Sequence, residues 1–560
     1  MKSRAFTRAG RSWAKSRPQT SVDLMPPRRI EISRLVYWIA LGSLFAWAAW
    51  LRFSLPLDPI ADPDTWGYLS PALNKLLGAG FVHQGRNFVY PAFLFFLLRV
   101  FGDFRAIAIV QHLLGLGAGA LLLVTWRRLR LFIPDSRLNP FVHDGMGLIA
   151  AAIFLIAGEP IRAEMQLRPE AVCAFLLSVN VYFAIGFIAR TFVEPRRPAV
   201  WFGIWTALTT ILLCSVKPSF VFIGLIPLLP VGFFFLRRNW LWQKIALGSG
   251  AVIVATLLVL PEYFLSRDDD LSRAFLPTTL FVVHADLIRD QMADDLARTA
   301  TLPYPRDWLS RVHDQLSAEI AQSAVVDRGL YPSLGFCPDY LMYNENSIAA
   351  RLAREFNYDM RAVSEFYRFY YWRTWRQRPF QMMKKVVRQM AIFYAPLCPA
   401  YDRSKTMSLT VWYRLGFSSL GHSSYSDVWK AYSPAVEYMR RAEALAQRAP
   451  AIEQRKVVRM ALTFLAGAYL PLFASTLALA ATTLFRRDYR RRIGWLVALT
   501  LFVFLYNATA CLEVAIINSL EVPRYSTVQM FFTLLAQFFA TLLLCETVVG
   551  WRERTNFSPA

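Results

Sequence analysis

Charged residues and cysteines are both scarce in this sequence of 560 residues. Only 18% of the residues are charged and 55% are hydrophobic, which excludes an ordinary soluble globule of this size. The six cysteines show no CxxC or Cys/His spacing, which excludes the common structural zinc sites. Four cysteines fall inside apolar runs, and only Cys337 and Cys398 lie in polar sequence, where a disulfide and two free thiols both stay open.

Apolar runs are the most abundant feature of the chain. Runs of about 17 to 25 residues recur, the length needed to cross a bilayer. The formal net charge of +23 suggests a nucleic-acid partner at first. Lys and Arg, however, cluster beside the apolar runs, as the positive-inside rule predicts for a membrane protein. The sequence therefore predicts an all-α polytopic membrane protein in a lipid bilayer, with no nucleic-acid partner.

The alternation of apolar runs and basic clusters predicts a topology with both ends in the cytoplasm. Residues 1–34 and 551–560 are expected to be basic cytoplasmic tails. Leu35–Leu51 follows a long basic lead, which favours an uncleaved anchor over a signal peptide. Ten transmembrane helices are predicted, seven within 35–262 and three within 457–550: 35–51, 105–126, 145–158, 169–190, 200–215, 218–236, 243–262, 457–485, 494–516 and 525–549.

Residues 263–456 are predicted to form a large, mostly helical extracytoplasmic insertion. Apolar residues recur at helical spacing in two stretches, around Leu316 and around Phe366. Val386–Leu397 is an alternative membrane span, but it is short and carries Arg388 in its middle. We expect this segment to lie in the headgroup region.

The first external loop, residues 52–104, is the leading candidate for a functional site. Asp62 and Asp64 lie two residues apart, Tyr68 follows, and a polar tip carries His83 and Arg86. The topology places further external charges on the same side of the membrane, namely Glu159–Glu170, Lys217 and the pair Glu521/Arg524. A carboxylate there can accept a proton from a hydroxyl, and a cation can hold a phosphate.

Structural interpretations compete with this functional one. The Asp-Pro-Asp sequence is typical of a turn, with Asp64 capping the helix that follows. The pairs Arg168/Glu170 and Glu521/Arg524 are also typical of helix ends at a membrane interface, and Lys217 is placed where a lysine snorkels.

The order of the external motifs resembles the GT-C superfamily of polyprenyl-phosphate-sugar-dependent glycosyltransferases, in particular its bacterial mannosyl- and aminoarabinosyl-transferase-like members. The resemblance covers roughly residues 35–260 in layout. It rests on an acidic residue followed by Tyr, then Gly and a Pro-led apolar helix, on an RPE sequence, and on a late external PRY sequence: Asp64, Tyr68, Gly80, Pro91, Arg168–Glu170 and Pro523–Tyr525.

This resemblance implies inverting transfer of a sugar from a polyprenyl-phosphate carrier to a cell-envelope acceptor, which is a glycolipid, polysaccharide or protein. The reaction is expected on the outer face of a bacterial inner membrane. Asp64 is implied as the base, with Asp62 as the alternative base or as a partner in holding a divalent metal. Members often have two adjacent acidic residues, so Asp-Pro-Asp leaves the base open between the two.

The same resemblance suggests which residues contact the substrates. Lys217, Arg168 and Arg524 are the candidates for the donor phosphate. Glu170, Tyr68, His83 and Arg86 are the candidates for the rest of the substrates, with Glu170 alternatively a structural partner of Arg168.

Two other functions stay open from the sequence. A flippase or transporter of lipid-linked sugars is expected to carry charges near the middle of its spans, and the predicted spans carry almost none there. There is also no internal repeat of the kind that many transporters have. A non-catalytic scaffold for envelope assembly is the third hypothesis, in which Asp64 is dispensable.

Overall fold

The structure, a computed structural model, describes residues 27–81, 86–194, 200–266, 270–298, 302–327, 329–421 and 426–556. Helices form most of these ranges. Eight of the described helices are long and apolar enough to cross a membrane, or nine if one bent pair counts as a single span. The chain is therefore an all-α, multi-pass membrane protein, as the sequence predicts.

The first part of the chain contains most of the candidate spans. Between them lie two short helices of the first loop, one amphipathic (α2) and one apolar but too short to span (α3), as predicted. The helices are α1 (Pro27–Phe53), α2 (Thr65–Leu76), α3 (Val89–Phe101), α4 (Arg105–Arg128), α5 (Pro140–Ile156), α6 (Gly158–Met165), α7 (Glu170–Ile188), α8 (Val200–Val216), α9 (Val221–Leu236) and α10 (Leu241–Ser266).

The predicted count of ten spans is not confirmed among the described helices, which provide eight or nine. The span predicted at 145–158 corresponds to α5 and α6, which are bent by 48° about Ala157, where the backbone is extended. The span predicted at 200–215 is α8, whose 17 residues extend about 26 Å, short of a hydrocarbon core of about 30 Å. The first helix also begins earlier than expected, at Pro27.

In its described residues, the insertion contains ten helices and one pair of short strands. The helices are α11 (Asp270–Val283), α12 (Ala285–Ala297), α13 (Arg306–Val326), α14 (Pro338–Tyr343), α15 (Ile348–Glu355), α16 (Met360–Gln377), α17 (Pro379–Phe393), α18 (Leu409–Gly421), α19 (Ser426–Ala431) and α20 (Ser433–Arg448). The strands β1 (Thr406–Ser408) and β2 (Ala451–Glu453) pair antiparallel, with Met407 opposite Ile452.

Both helical patterns predicted in the insertion are confirmed. Leu309, Val312 and Leu316 of α13 are buried, and they share one core with Phe366 and Tyr370 of α16. Helix α17 has only 15 residues, in keeping with an interfacial helix, and it packs against α22. Cys337 and Cys398 are both buried and free.

The last part of the chain returns to long apolar helices. These are α21 (Lys456–Phe485), α22 (Arg487–Ile517), the short α23 (Pro523–Thr527) and α24 (Met530–Asn556). Helix α22 packs against α24, α21 and α9. All contacts described below lie within one compact unit, Phe45–Ala560.

Candidate functional site

A short backbone bridge brings the two predicted acidic motifs together. The Ile60 amide donates to the Met165 carbonyl at 2.7 Å, and the Leu167 amide donates to the Ile60 carbonyl at 2.8 Å. The segments are parallel at this point. Asp62 and Asp64 therefore emerge beside Arg168, although they are about a hundred residues apart in sequence.

Two helices of the insertion hold the other side of the same segment. The Tyr413 hydroxyl of α18 donates to the Asp58 carbonyl, and the Tyr438 hydroxyl of α20 donates to the Pro59 carbonyl at 2.8 Å. Arg441 of α20 contacts the Asp58 carboxylate at 2.7 Å. Gly416 lies so close to Ala61 that a Cβ there would come within 2.3 Å of the carbonyl oxygen. The insertion thus fixes the chain just before Asp62.

Asp64 is surrounded by three arginines from three segments. Arg86 Nη2 lies 2.7 Å from Oδ1, while Arg524 Nη1 and Arg168 Nη2 lie 2.5 Å and 3.2 Å from Oδ2. Burial raises the pKa of the Asp64 carboxyl, but the nearby Arg86 and Arg524 guanidinium groups outweigh it, and the net pKa lies below its usual value. Asp64 is ionised at neutral pH, with cations on both oxygens.

Asp62 makes the turn that the structural interpretation predicts, and Asp64 does not. Asp62 Oδ1 accepts from the Asp64 amide at 2.9 Å and contacts the Thr65 hydroxyl at 3.3 Å, and its Oδ2 contacts Arg168 Nε. The Asp64 side chain makes no cap bond to α2. The local turn chemistry therefore belongs to Asp62, and it leaves Asp64 to face the arginines.

Arg86 and Tyr68 are in contact, as two neighbours in one loop. The Arg86 guanidinium lies over the Tyr68 ring at 4.9 Å and near the Phe275 ring at 5.6 Å. A Cβ on Gly67 would lie 3.2 Å from the Arg86 side chain, so a glycine lets that side chain cross α2 closely. Burial raises the pKa of the Tyr68 phenol, which stays protonated. His83 lies outside the described residues.

Lys217 and Glu170 form a pair next to these arginines. Lys217 Nζ lies 2.8 Å from Glu170 Oε1, and both side chains are nearly buried. Lys217 therefore neither snorkels nor stands free for a phosphate in this arrangement. Glu170 pairs with Lys217, where the structural alternative had placed Arg168.

The turn that carries Arg524 is anchored by the insertion. Gln389 of α17 accepts from the Ser519 hydroxyl at 2.9 Å and from the Leu520 amide at 3.0 Å. Glu521 accepts from the Ser333 amide at 2.7 Å. Glu521 thus serves to tie the turn to the insertion, and Arg524 alone of the predicted pair reaches the site.

An open cleft of about 600 Å³ begins at this cluster. Arg168, Glu170 and Arg524 line its charged end. Further polar side chains of the lining are Glu159, Arg162, Glu164 and Gln166. The apolar part of the lining comes from α5, α6, α7 and α24: Phe154, Ala163, Ala171, Ala174, Met530 and Phe531.

Three buried polar atoms at the charged end of the cleft have no hydrogen-bond partner among the described residues. They are Gln166 Nε2, Glu170 Oε2 and Arg524 Nε, which belong to residues that line the cleft. A buried unsatisfied donor or acceptor costs about 1–3 kcal/mol. Two donors and one acceptor in one place therefore point to a polar ligand.

A second charged group, which includes the cleft residue Glu164, was not predicted from the sequence. Arg52, which directly follows the first predicted span, is fully buried and contacts Glu164 through Nε at 2.7 Å and Nη2 at 2.8 Å. His112 Nδ1 lies 2.9 Å from the same carboxylate. A Cβ on Gly115 would come within 1.9 Å of Glu164, so only glycine fits beside it. The one signal for this pair was the charge crowding of Glu159–Glu170.

The two aspartates do not fit a divalent metal as they are arranged here. Arginine side chains contact both carboxylates, and a dication placed there would be repelled by three guanidinium groups. No group of three or more His, Cys, Asp or Glu side chains that could hold a metal occurs among the described residues.

Comparison with known proteins gives no further guide to the site. No protein-family model matches this chain, and no curated protein matches it.

Proposed function

We propose that this protein is an inverting glycosyltransferase that moves a sugar from a polyprenyl-phosphate carrier to an envelope acceptor. The observation that carries this proposal is the cleft, which joins an apolar lining to a cluster of cations. A polyprenyl phosphate has the same two parts, a long apolar chain and an anionic headgroup. We place the reaction on the extracytoplasmic face of a bacterial inner membrane, following the charge bias of the loops.

The charge of the site supports an anionic ligand. Arg86, Arg168, Arg524 and Lys217 supply four cations against the carboxylates of Asp62, Asp64 and Glu170. One positive charge is left over. A phosphodiester carries one negative charge, so the polyprenyl-phosphate sugar would neutralise the cluster.

The unpartnered buried atoms support a sugar on that phosphate. Glu170 Oε2 needs a donor, while Gln166 Nε2 and Arg524 Nε need acceptors. Sugar hydroxyl groups both donate and accept. We assign Glu170 and Gln166 to the sugar and the arginines to the phosphate.

The proposed reaction needs a base and a stabilised leaving group. The acceptor hydroxyl oxygen attacks the anomeric carbon from the face opposite the phosphate and gives its proton to Asp64. The bond between the anomeric carbon and the phosphate oxygen breaks, and polyprenyl phosphate leaves with one additional negative charge. Arg168 and Arg524 are placed to stabilise that charge as it develops.

The flippase alternative finds less support in the membrane-spanning region. Near the middle of α7, α8 and α22 the described buried polar groups are neutral. The buried acid Glu513 lies four residues before the end of α22, where it accepts from the Val221 and Phe222 amides. Asn180 donates to Thr209 and Thr210, and it accepts from the Tyr506 hydroxyl at 2.9 Å. A pathway for a charged headgroup needs charged or hydrated groups at that depth.

A transfer assay with the purified full-length protein tests the proposal. Wild-type protein is supplied with a panel of polyprenyl-phosphate hexoses and pentoses and an envelope extract as acceptor, and released polyprenyl phosphate is measured. We expect release with at least one donor and a loss of about 10²-fold or more in Asp64→Asn, since a general base contributes that much. Asp307→Asn, at an exposed carboxylate of α13, is the control with the same change of charge. No release with any donor, or full release by Asp64→Asn, contradicts the proposal.

A further inference from the structure

We propose that Asp64 occupies, in the ligand-free protein, the place on Arg168 and Arg524 that the donor phosphate takes, so that donor binding frees an Asp64 oxygen to act as the base. This inference rests on the proposed function and adds an order to it, with the donor first and the acceptor second. The competing ligand is defined by its chemistry, a phosphate ester on a polyprenyl chain.

The contacts of Asp64 show the competition directly. Oδ2 lies where two guanidinium groups converge, 2.5 Å from Arg524 Nη1 and 3.2 Å from Arg168 Nη2. Two arginines converging on one oxygen form an ordinary phosphate site, and here a carboxylate fills it. With Arg86 on Oδ1, both carboxylate oxygens are engaged by arginines.

In this proposal, Arg86 is the arginine that stays in contact with Asp64 when a phosphate binds. Arg86 contacts only the other carboxylate oxygen, at 2.7 Å, and it comes from the same loop as Asp64. Arg168 and Arg524, by contrast, line the cleft. A phosphate entering along the cleft meets these two arginines and leaves the contact between Asp64 and Arg86 intact.

Asp62 is fixed in a way that Asp64 is not. Asp62 is 4% exposed, and its oxygens are bound by the Asp64 amide, the Thr65 hydroxyl and Arg168. The Asp64 side chain is 24% exposed and makes only ion pairs with long, flexible arginines. Asp64 is therefore the carboxylate that can exchange partners.

The exchange of partners makes Asp64 a stronger base once the donor phosphate has bound. Arg86 and Arg524 now help to hold the pKa of Asp64 below its usual value. Losing Arg168 and Arg524 to a phosphate, and gaining an anion nearby, both favour the protonated form and so raise this pKa. The Glu170 carboxylate also raises the pKa of Asp64, and Asp64 in turn raises the pKa of the Tyr343 phenol. Neither Glu170 nor Tyr343 carries a positive charge that would offset the loss of the two arginines.

Binding of a sugar-free probe tests the competition without relying on turnover. Farnesyl phosphate is titrated against the purified full-length protein, and its Kd is compared between wild type and Asp64→Asn. We expect the variant to bind about tenfold more tightly, because the internal anion has been removed. Asp307→Asn makes the same charge change at an exposed carboxylate of α13 and should bind like wild type. An Asp64→Asn protein that binds equally or more weakly overturns the inference.

A second pair of variants separates this inference from the proposed function. Arg168→Gln and Arg524→Gln should each weaken binding of farnesyl phosphate at least tenfold, in both the wild-type and Asp64→Asn backgrounds. If both arginine variants weaken binding while Asp64→Asn has no effect, the phosphate site is supported and the competition between Asp64 and the phosphate is contradicted. If neither arginine matters, the phosphate site itself falls, and this inference falls with it.

Discussion

A single buried ion pair sets the strictest residue requirement near the cleft. Arg52 is fully buried, Glu164 is 2% exposed, and the two meet through two hydrogen bonds. Arg52 also donates to the Ala48 and Leu155 carbonyls, at 3.1 Å and 2.7 Å. Glu164 lines the cleft, so this pair ties the end of α1 to α6 beneath the candidate substrate site.

Removing one partner of this pair should be far more damaging than removing both. Glu164→Gln leaves the Arg52 charge buried without a counter-ion, at a cost of about 3–5 kcal/mol. We expect a clear fall in the melting temperature of the protein in detergent, and a partial recovery when Arg52→Met is combined with Glu164→Met. Glu437→Gln should leave the melting temperature unchanged. Equal melting temperatures for Glu164→Gln and Glu437→Gln would show that the pair carries no stability.

At the scale of elements, two helices of the insertion position the first loop. Helices α18 and α20 hold residues 58–61 through Tyr413, Tyr438 and Arg441, and Tyr438 also stacks on Phe104 at 4.5 Å. On its other side the same segment bridges to Gln166. The insertion therefore positions the first loop of the site, although none of the three arginines that contact Asp64 belongs to the insertion.

Loosening these two helices should free the loop that carries both aspartates. In a double variant, Tyr413→Phe with Tyr438→Phe, two buried hydrogen bonds to the segment are lost, each worth about 0.5–1.5 kcal/mol. We expect faster hydrogen–deuterium exchange in a peptide that covers residues 58–64, and lower transfer activity. Tyr432→Phe is the matched control, because its hydroxyl lies 3.5 Å from the Leu98 carbonyl, at the limit of a hydrogen bond. Unchanged exchange in the double variant would refute the positioning role.

At the scale of the whole molecule, the predicted membrane topology explains why residues that are distant in sequence lie close together. Asp64, Arg168, Lys217 and Arg524 each follow or precede a membrane helix at the end that was predicted to be external. Helices of similar length placed side by side bring such ends to one level. The chain thereby gathers charges from four separate segments at the charged end of one cleft.

This gathering could be predicted from the sequence because it depends only on the apolar runs and the basic clusters. The internal geometry could not. Whether Asp62 or Asp64 makes the turn depends on one hydrogen bond, from the Asp64 amide to Asp62 Oδ1. Arg52 has the sequence position of an interfacial anchor, and only the three-dimensional packing shows that it is buried against Glu164.

The predicted count of ten spans is not confirmed, for a related reason. Helix α8 is apolar over 17 residues, a length at which composition cannot distinguish a span from a shorter buried helix. The pair α5 and α6 has enough apolar length in total, but an extended residue at Ala157 breaks it. The positioning role of α18 and α20 was also beyond prediction, because the contacts join residues more than 300 positions apart.

The central claim is that the cleft holds a polyprenyl phosphate with its headgroup on Arg168 and Arg524. A structure of the full-length protein with a bound polyprenyl phosphate measures this most directly. We predict the phosphate within hydrogen-bond distance of both arginines, the chain along the apolar lining near Phe154 and Phe531, and Asp64 in contact with Arg86 alone. A phosphate bound elsewhere, with Asp64 still held by all three arginines, would contradict the account.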